Sequence, residues 1–285
     1  MIISWLLYFP KPISKMKNSR SFLLVAFAAT TSFASAANIL VSASDTSEIE
    51  AFLAANYSDA NVTAAGNFSD FSAAATQDAL NGVDLVIIGR SVSSSDYGSG
   101  RADGYNGLNI PVLNFTSYTA RNAGNRMGWH TGSATNNKSV AGNETTITPA
   151  GSAVLGIPAG AYDFFDTNAG GDFNGLGTGT ASVGGGNVLA TIGGDILAAY
   201  WETGAAPGDP ASAGVDTFPA PRLLLNLDDD PRPTGEFTAQ TAAGLALTID
   251  VIADFGGLTT ATIPEPSSAL LGLTGLGLLC FRRRK

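Results

Sequence analysis

The run Val83-Asp84-Leu85-Val86-Ile87-Ile88-Gly89 limits the fold more than any other stretch of the chain. Its four successive apolar residues, three of them β-branched, suit a strand. Successive side chains of a strand point to opposite faces, so a strand that is apolar at every position has to be covered on both. Sheets with one wet face alternate apolar and polar residues; an unbroken run belongs to a parallel sheet with helices above and below it.

The neighbouring segments fit that reading. Asn38 to Ser42 is a short apolar strand, Asn61 to Ala65 a weaker one, and Ile110 to Asn114 a further one with Pro111 near its start. Asp45 to Asn56 reads as a helix: Asp45 with Glu48 resembles a capping box, and Ile49, Phe52 and Leu53 fall on one face. Thr76 to Leu80 suits a short helix. Strand and helix alternate here as in a wound parallel sheet. From Ile147 the texture turns Gly-rich. Val188 to Ile192 and Ile196 to Trp201, joined by Gly193-Gly194-Asp195, read as an inserted β-hairpin. Arg222 to Leu227 is the last strand, and Gly235 to Phe255 a closing helix with Phe237, Leu245, Ile249 and Ile252 as its buried stripe and Gly256-Gly257 as its stop.

This order resembles the flavodoxin-like sheet of the class I glutamine amidotransferase and trehalose-utilisation (ThuA-like) superfamily. The resemblance rests on the first strand, Asp84 to Gly89, Ala199-Tyr200-Trp201-Glu202, and Arg222 to Leu227 before the closing helix. It implies an α/β fold: a mostly parallel sheet with helices on both faces and the Gly-rich hairpin as an insertion. It carries no catalytic motif over, because the amidotransferase nucleophile is a cysteine on a sharp turn after a central strand, where this chain has Gly89-Arg90-Ser91.

Both ends read as targeting segments. Met16-Lys17-Asn18-Ser19-Arg20, the apolar Phe22 to Ala29, and Ala34-Ser35-Ala36 have the layout of a secretory signal peptide over residues 1–36, with Met16 as the more regular start. The exported domain is then 37–257, a linker 258–263 and a tail 264–285. Ala269 to Phe281 is uncharged over 13 residues, and as a helix would reach about 20 Å, short of a bilayer core of about 30 Å. Arg282, Arg283, Arg284 and Lys285 keep the end cytoplasmic. Pro264, Glu265 and Pro266, the apolar C-terminal helix and the basic end together resemble the PEP-CTERM sorting signal of Gram-negative bacteria. That resemblance implies an exosortase as processing partner, contact with the membrane through the tail, and a place at the cell surface or in an extracellular biofilm matrix.

Of 15 basic residues, four lie in the leader and four in the tail, while all 24 acidic residues lie between Asp45 and Glu265. A chain cut after Pro266 therefore carries a net charge near −17, which excludes nucleic acid and anionic lipid as general partners. The sole cysteine, Cys280, is in the tail, so the domain has no disulfide.

Candidate sites follow from scarcity. Four of the seven remaining basic residues, Arg90, Arg101, Arg121 and Arg126, fall between positions 90 and 130. In a wound sheet that is the loop region at the strand carboxyl ends, where ligands bind, so Arg90, Arg121 and Arg126 are expected to meet an acidic sugar or carboxylate. Ser91 after the strongest strand, with the only histidine, His130, is the one available nucleophile and base for a carbohydrate-active hydrolase or transferase. Against it, Gly89-Arg90-Ser91-Val92-Ser93 lacks the second glycine of a nucleophile elbow. Asp166, Asn168 and Asp172 resemble the first half of a calcium loop, but Gly177 stands where the bidentate glutamate belongs. No other cofactor is expected. A non-catalytic binding or structural component fits best, with the hydrolase or transferase as the alternative.

Overall fold

The computed structural model describes residues 36–43, 46–89, 94–98, 100–122, 126–132, 135–139, 144–165, 172–176, 183–227, 237 and 240–261. The expected signal peptide, but for its last residue, and the C-terminal tail with its apolar segment lie outside them. Among the described residues no helix is long and apolar enough to cross a membrane.

The parallel half is built as its sequence demands. β1 (Ala37–Ser42), α1 (Ser47–Asn56), β2 (Ala60–Ala65), α2 (Ala74–Leu80) and β3 (Leu85–Ile88) follow one another. A 3-10 turn at Ser94–Tyr97, α3 (Arg101–Asn106), β4 (Val112–Asn114) and α4 (Ser117–Ala120) come next. Much later come β11 (Arg222–Leu225) and α7 (Ala242–Gly256). These five strands lie in the order β2-β1-β3-β4-β11, all parallel, which is the flavodoxin-like order. Leu85, Val86, Ile87 and Ile88 are all fully buried: Leu85 and Ile87 face the core shared with α1 and α7, Val86 and Ile88 the core on the other face, with Leu80 and Tyr105.

The insertion is larger than a hairpin. β5 (Thr135–Ser139), β6 (Thr145–Ile147), α5 (Pro149–Leu155), β7 (Gly160–Tyr162), β8 (Asp172–Leu176), β9 (Asn187–Ile192), β10 (Asp195–Trp201) and α6 (Pro210–Ala213) lie between β4 and β11. β10, β9, β6 and β7 extend the sheet antiparallel from β11, while β8 bonds β10 and β5. The expected β9–β10 hairpin forms, with Gly193 and Gly194 at φ 54° and 86°, the double left-handed turn that matches strand twist. A register shift at Ala198 in β10 brings Leu197 and Ala198 into the same core.

Three sequence expectations are corrected. The closing helix starts at Ala242, capped by the Thr241 side chain, and ends at Gly257 with φ 63°. Its fully buried residues are Gly244, Thr248, Ile252 and Ala253, while Leu245 and Ile249 are only partly buried against the same core; a Cβ at Gly244 would stand 2.2 Å from the Phe164 carbonyl oxygen. Phe237 lies outside the helix, stacked on Phe52 at 3.7 Å. The residue before α1 is Thr46, whose hydroxyl bonds Glu50, while Glu48 accepts the Phe237 N–H at 3.2 Å. The start of the expected linker is fastened: Ser58 donates to the Thr259 carbonyl at 3.2 Å, Ala261 to the Asn56 carbonyl at 2.7 Å, and Leu258 is buried.

Candidate functional site

A sheet of this order reverses its winding between β1 and β3, and ligands usually enter at the carboxyl ends there. In this protein side chains fill the floor of that crevice. Tyr97 and Tyr105, both fully buried, bring their hydroxyls to Ser42 Oγ at the end of β1, at 2.8 and 3.0 Å. Tyr97 also donates to the Ser42 carbonyl at 3.2 Å, and the Tyr105 oxygen accepts the Phe68 N–H at 3.0 Å. Burial pushes both phenols above their ordinary pKa, so they remain neutral. Beside them Arg101 pairs with Asp96 at 3.3 Å, which closes the 3-10 turn onto α3.

Polar groups without partners gather one strand further on, after β4. Two amides at strand ends fix this loop. Asn114 Nδ2 donates to Thr119 Oγ1 at 2.7 Å while its Oδ1 accepts the Thr116 N–H at 3.0 Å, and Asn226 Oδ1 accepts the Ser117 N–H at 3.1 Å. The chain then doubles back: Met127 donates to the Thr119 carbonyl at 3.0 Å, Gly128 to Arg121 at 3.3 Å, and Asn122 to Gly132 at 3.3 Å. Gly128, at φ 62°, permits close contact with the α6 loop, since a Cβ there would stand 2.6 Å from Ala213 N and Asp209 O. Trp129 anchors the turn. It is fully buried against Trp201 and Phe218, and its Nε1 donates to Asn106 Oδ1 at 2.7 Å.

Arg121 and Arg126 project from this doubled-back segment. The Arg121 guanidinium lies 5.0 Å from the Tyr118 ring centre. Burial, and then the neighbouring charge of Arg126, hold it below the ordinary arginine pKa. Among the described residues, Ser117 Oγ, Arg121 Nε, Asn122 Oδ1 and His130 Nε2 are buried without a hydrogen-bond partner. Such atoms are uncommon in folded proteins, and several within one segment suit a binding site. Two adjacent guanidinium groups are what a carboxylate or other oxyanion recognises.

His130 is fully buried. Its Nδ1 accepts the Gly132 N–H at 2.8 Å, so the ring proton sits on Nε2, and burial lowers the pKa. Ser91 and Arg90 lie outside the described residues, as do Asp166 and Asn168. Asp172 opens β8 opposite Ser139, and among the described residues no group of three or more His, Cys, Asp or Glu is placed to hold a metal. Sequence reasoning missed Asn114, Asn226 and Asn106. The first two were signalled by an amide closing an otherwise apolar run; the third had no signal.

Comparison with known proteins bears mainly on the tail. Residues 262–285 match the PEP-CTERM protein-sorting motif. The motif implies an exported protein sorted by an exosortase, with a membrane-associated or surface location. No curated protein matches the chain. Among solved structures, a cytoplasmic protein from Salmonella typhimurium is similar over 79% of this chain and 100% of its own, with 9% identity and a TM-score of 0.44. So distant a likeness carries no argument, and no comparison shows the expected relation to the ThuA-like superfamily.

Proposed function

We propose that the protein is a non-catalytic binding component of the cell surface or its polysaccharide matrix, and that Arg121 and Arg126 grip an acid group of an extracellular glycan. The observation that supports this is the partly desolvated Arg121 beside Arg126, on a loop where Ser117 Oγ, Asn122 Oδ1 and His130 Nε2 have no hydrogen-bond partner among the described residues. The strongly acidic remainder of the chain repels a densely charged polymer. A single carboxylate on an otherwise neutral sugar suits such a surround.

The alternative, a hydrolase using Ser91 and His130, finds less support. In a serine–histidine–carboxylate triad the carboxylate receives the Nδ1 proton and so orients the ring. Here Nδ1 has no proton to give, because it accepts from the Gly132 amide.

The test is calorimetric titration of the mature protein with acidic and neutral oligosaccharides at low and moderate salt. Arg121→Ala with Arg126→Ala should weaken acidic-ligand binding at least tenfold, from loss of charge-assisted bonds of about 1.5–3 kcal/mol each, and neutral sugars should bind poorly throughout. Equal affinity in wild type and double variant would sink the assignment. Arg90→Ala with Arg126→Ala tests the remaining arginine in the same way.

A further inference from the structure

On the α7 side of the sheet, away from the arginines, two chambers adjoin. The inner one, about 40 Å³, lies under α7 and is apolar along Phe165, Leu197 and Leu227. The outer one, about 160 Å³, opens at Val154, Asp250, Asp254 and Phe255. Leu155, Leu189, Leu223, Leu247 and Val251 border both, so they form one slot. An apolar cavity of about 150 Å³ is enough to take up benzene. Val154, 48% exposed, places an apolar side chain at the entrance.

The inner end is not wholly apolar. Thr145 is buried in β6, and among the described residues neither its Oγ1 nor Gln240 Nε2 has a hydrogen-bond partner; both residues line the inner chamber. Gln240 is held from two sides: its backbone bridges Phe165, and its Oε1 accepts the Thr248 hydroxyl at 2.8 Å. A donor and a hydroxyl thus line the inner chamber of an apolar slot, where an unmet polar group is costly. Two carboxylates, Asp250 and Asp254, stand at its mouth.

We propose that this slot binds a small neutral amphiphile: an apolar chain or ring that enters first with its single hydroxyl or carbonyl group, which meets Gln240 Nε2 and Thr145 Oγ1. The apolar walls match the chain, and the two inner polar atoms match one oxygen. The acidic mouth disfavours an anionic ligand such as a fatty acid. This site is independent of the arginine loop, and neither reading requires the other.

The probes are 1-hexanol, hexane and hexanoate, added to the mature protein and followed by methyl chemical shifts in NMR. Saturable shifts at Leu247, Val251 and Leu189 with hexanol, weaker binding of hexanoate, and loss of hexanol binding in Leu247→Trp are expected. Thr145→Val with Gln240→Leu, which keeps the size of both side chains, should lower hexanol affinity about tenfold relative to hexane. It also serves as the decisive variant if Leu247→Trp does not fold. The proposal is overturned if hexanol gives no saturable shifts, if hexanoate binds more tightly than hexanol, or if the polar double variant binds hexanol as wild type does. It fails equally if the inner polar atoms prove to be bridged by fixed water that hexanol does not displace.

Discussion

Replacing Arg222 by Met should be among the most damaging single changes in the domain. The side chain is fully buried at the start of β11, and among the described residues no carboxylate pairs with it. Its charge is met by backbone carbonyls and by the Phe218 ring, whose centre lies 5.3 Å from the guanidinium carbon. Nη1 donates to the carbonyls of Ile110, Ala220 and Pro221, each at 3.0 Å. Nη2 donates to Asn106 at 2.7 Å, Leu108 at 2.8 Å and Tyr105 at 3.4 Å. The guanidinium therefore closes the carboxyl end of α3, whose last carbonyls have no helical partner, and ties that end to the chain entering β4 and β11. Burial pushes its pKa down to about 9, so at neutral pH it stays charged. Met retains the apolar stem packing but leaves the innermost carbonyls unmet at about 1–3 kcal/mol each. Relief of the buried charge offsets part of this, and the net loss is about 3 kcal/mol. With a urea dependence of about 2–3 kcal/mol per molar, the midpoint should fall by about 1–1.5 M. Trp129 and Trp201, 5.4 Å apart in the adjoining core, report the transition by fluorescence. Arg222→Lys keeps the charge but offers no planar fork and should fall between the two. A midpoint for Arg222→Met within about 0.3 M of wild type would refute this account.

Other changes test separate links. Gly128→Ala places a methyl 2.6 Å from Ala213 N and Asp209 O at a positive φ, and should cost about 2–4 kcal/mol in urea denaturation; a neutral result would show that the loop simply shifts. Tyr97 and Tyr105 have raised pKa values in the fold, first through burial, so the stability they contribute is complete below pH about 10 and is lost as pH rises above it, by about 1.4 kcal/mol per pH unit for each tyrosine. Tyr97→Phe should make alkaline unfolding less steep; an unchanged slope in a pH titration would remove Tyr97 from this account. Replacing Pro264, Glu265 and Pro266 by Ala should abolish release of the C-terminal peptide as followed by mass spectrometry, and unaltered processing would leave a plain anchor in place of an exosortase substrate.

What the sequence made legible was burial that composition alone enforces. β3 could be read because four apolar residues in a row admit only a strand covered on both faces, and Leu85 to Ile88 are covered in just that way. The stripe of α7 could be read only in part, because close approach selects a small residue: Gly244, against the Phe164 backbone, is buried with Thr248, while Leu245 and Ile249, which an apolarity count favours, are only partly buried against the same core. The antiparallel half was hidden for a related reason. Strands such as Thr145–Ile147 and Gly160–Tyr162 are three residues long and draw their burial from neighbours that only the fold supplies. At the arginine loop, the scarcity of basic residues singled out positions 90 to 130. Scarcity could not show that Arg101 is taken by Asp96 while Arg121 stands beside another cation.

Topology also relates the candidate site to the sorting tail. Because β1, β2, β3, β4 and β11 are parallel, their amino ends share one edge of the sheet and their carboxyl ends the other. Residues 258–261 are fastened to the turn between α1 and β2, at the amino edge. Ala37, the first residue of β1, lies at that same edge, donating to the Asp59 carbonyl at 2.8 Å. Arg121, Arg126 and the amides of Asn114 and Asn226 all follow carboxyl ends. Ala261, the last described residue, therefore lies at the edge of the sheet opposite the arginines.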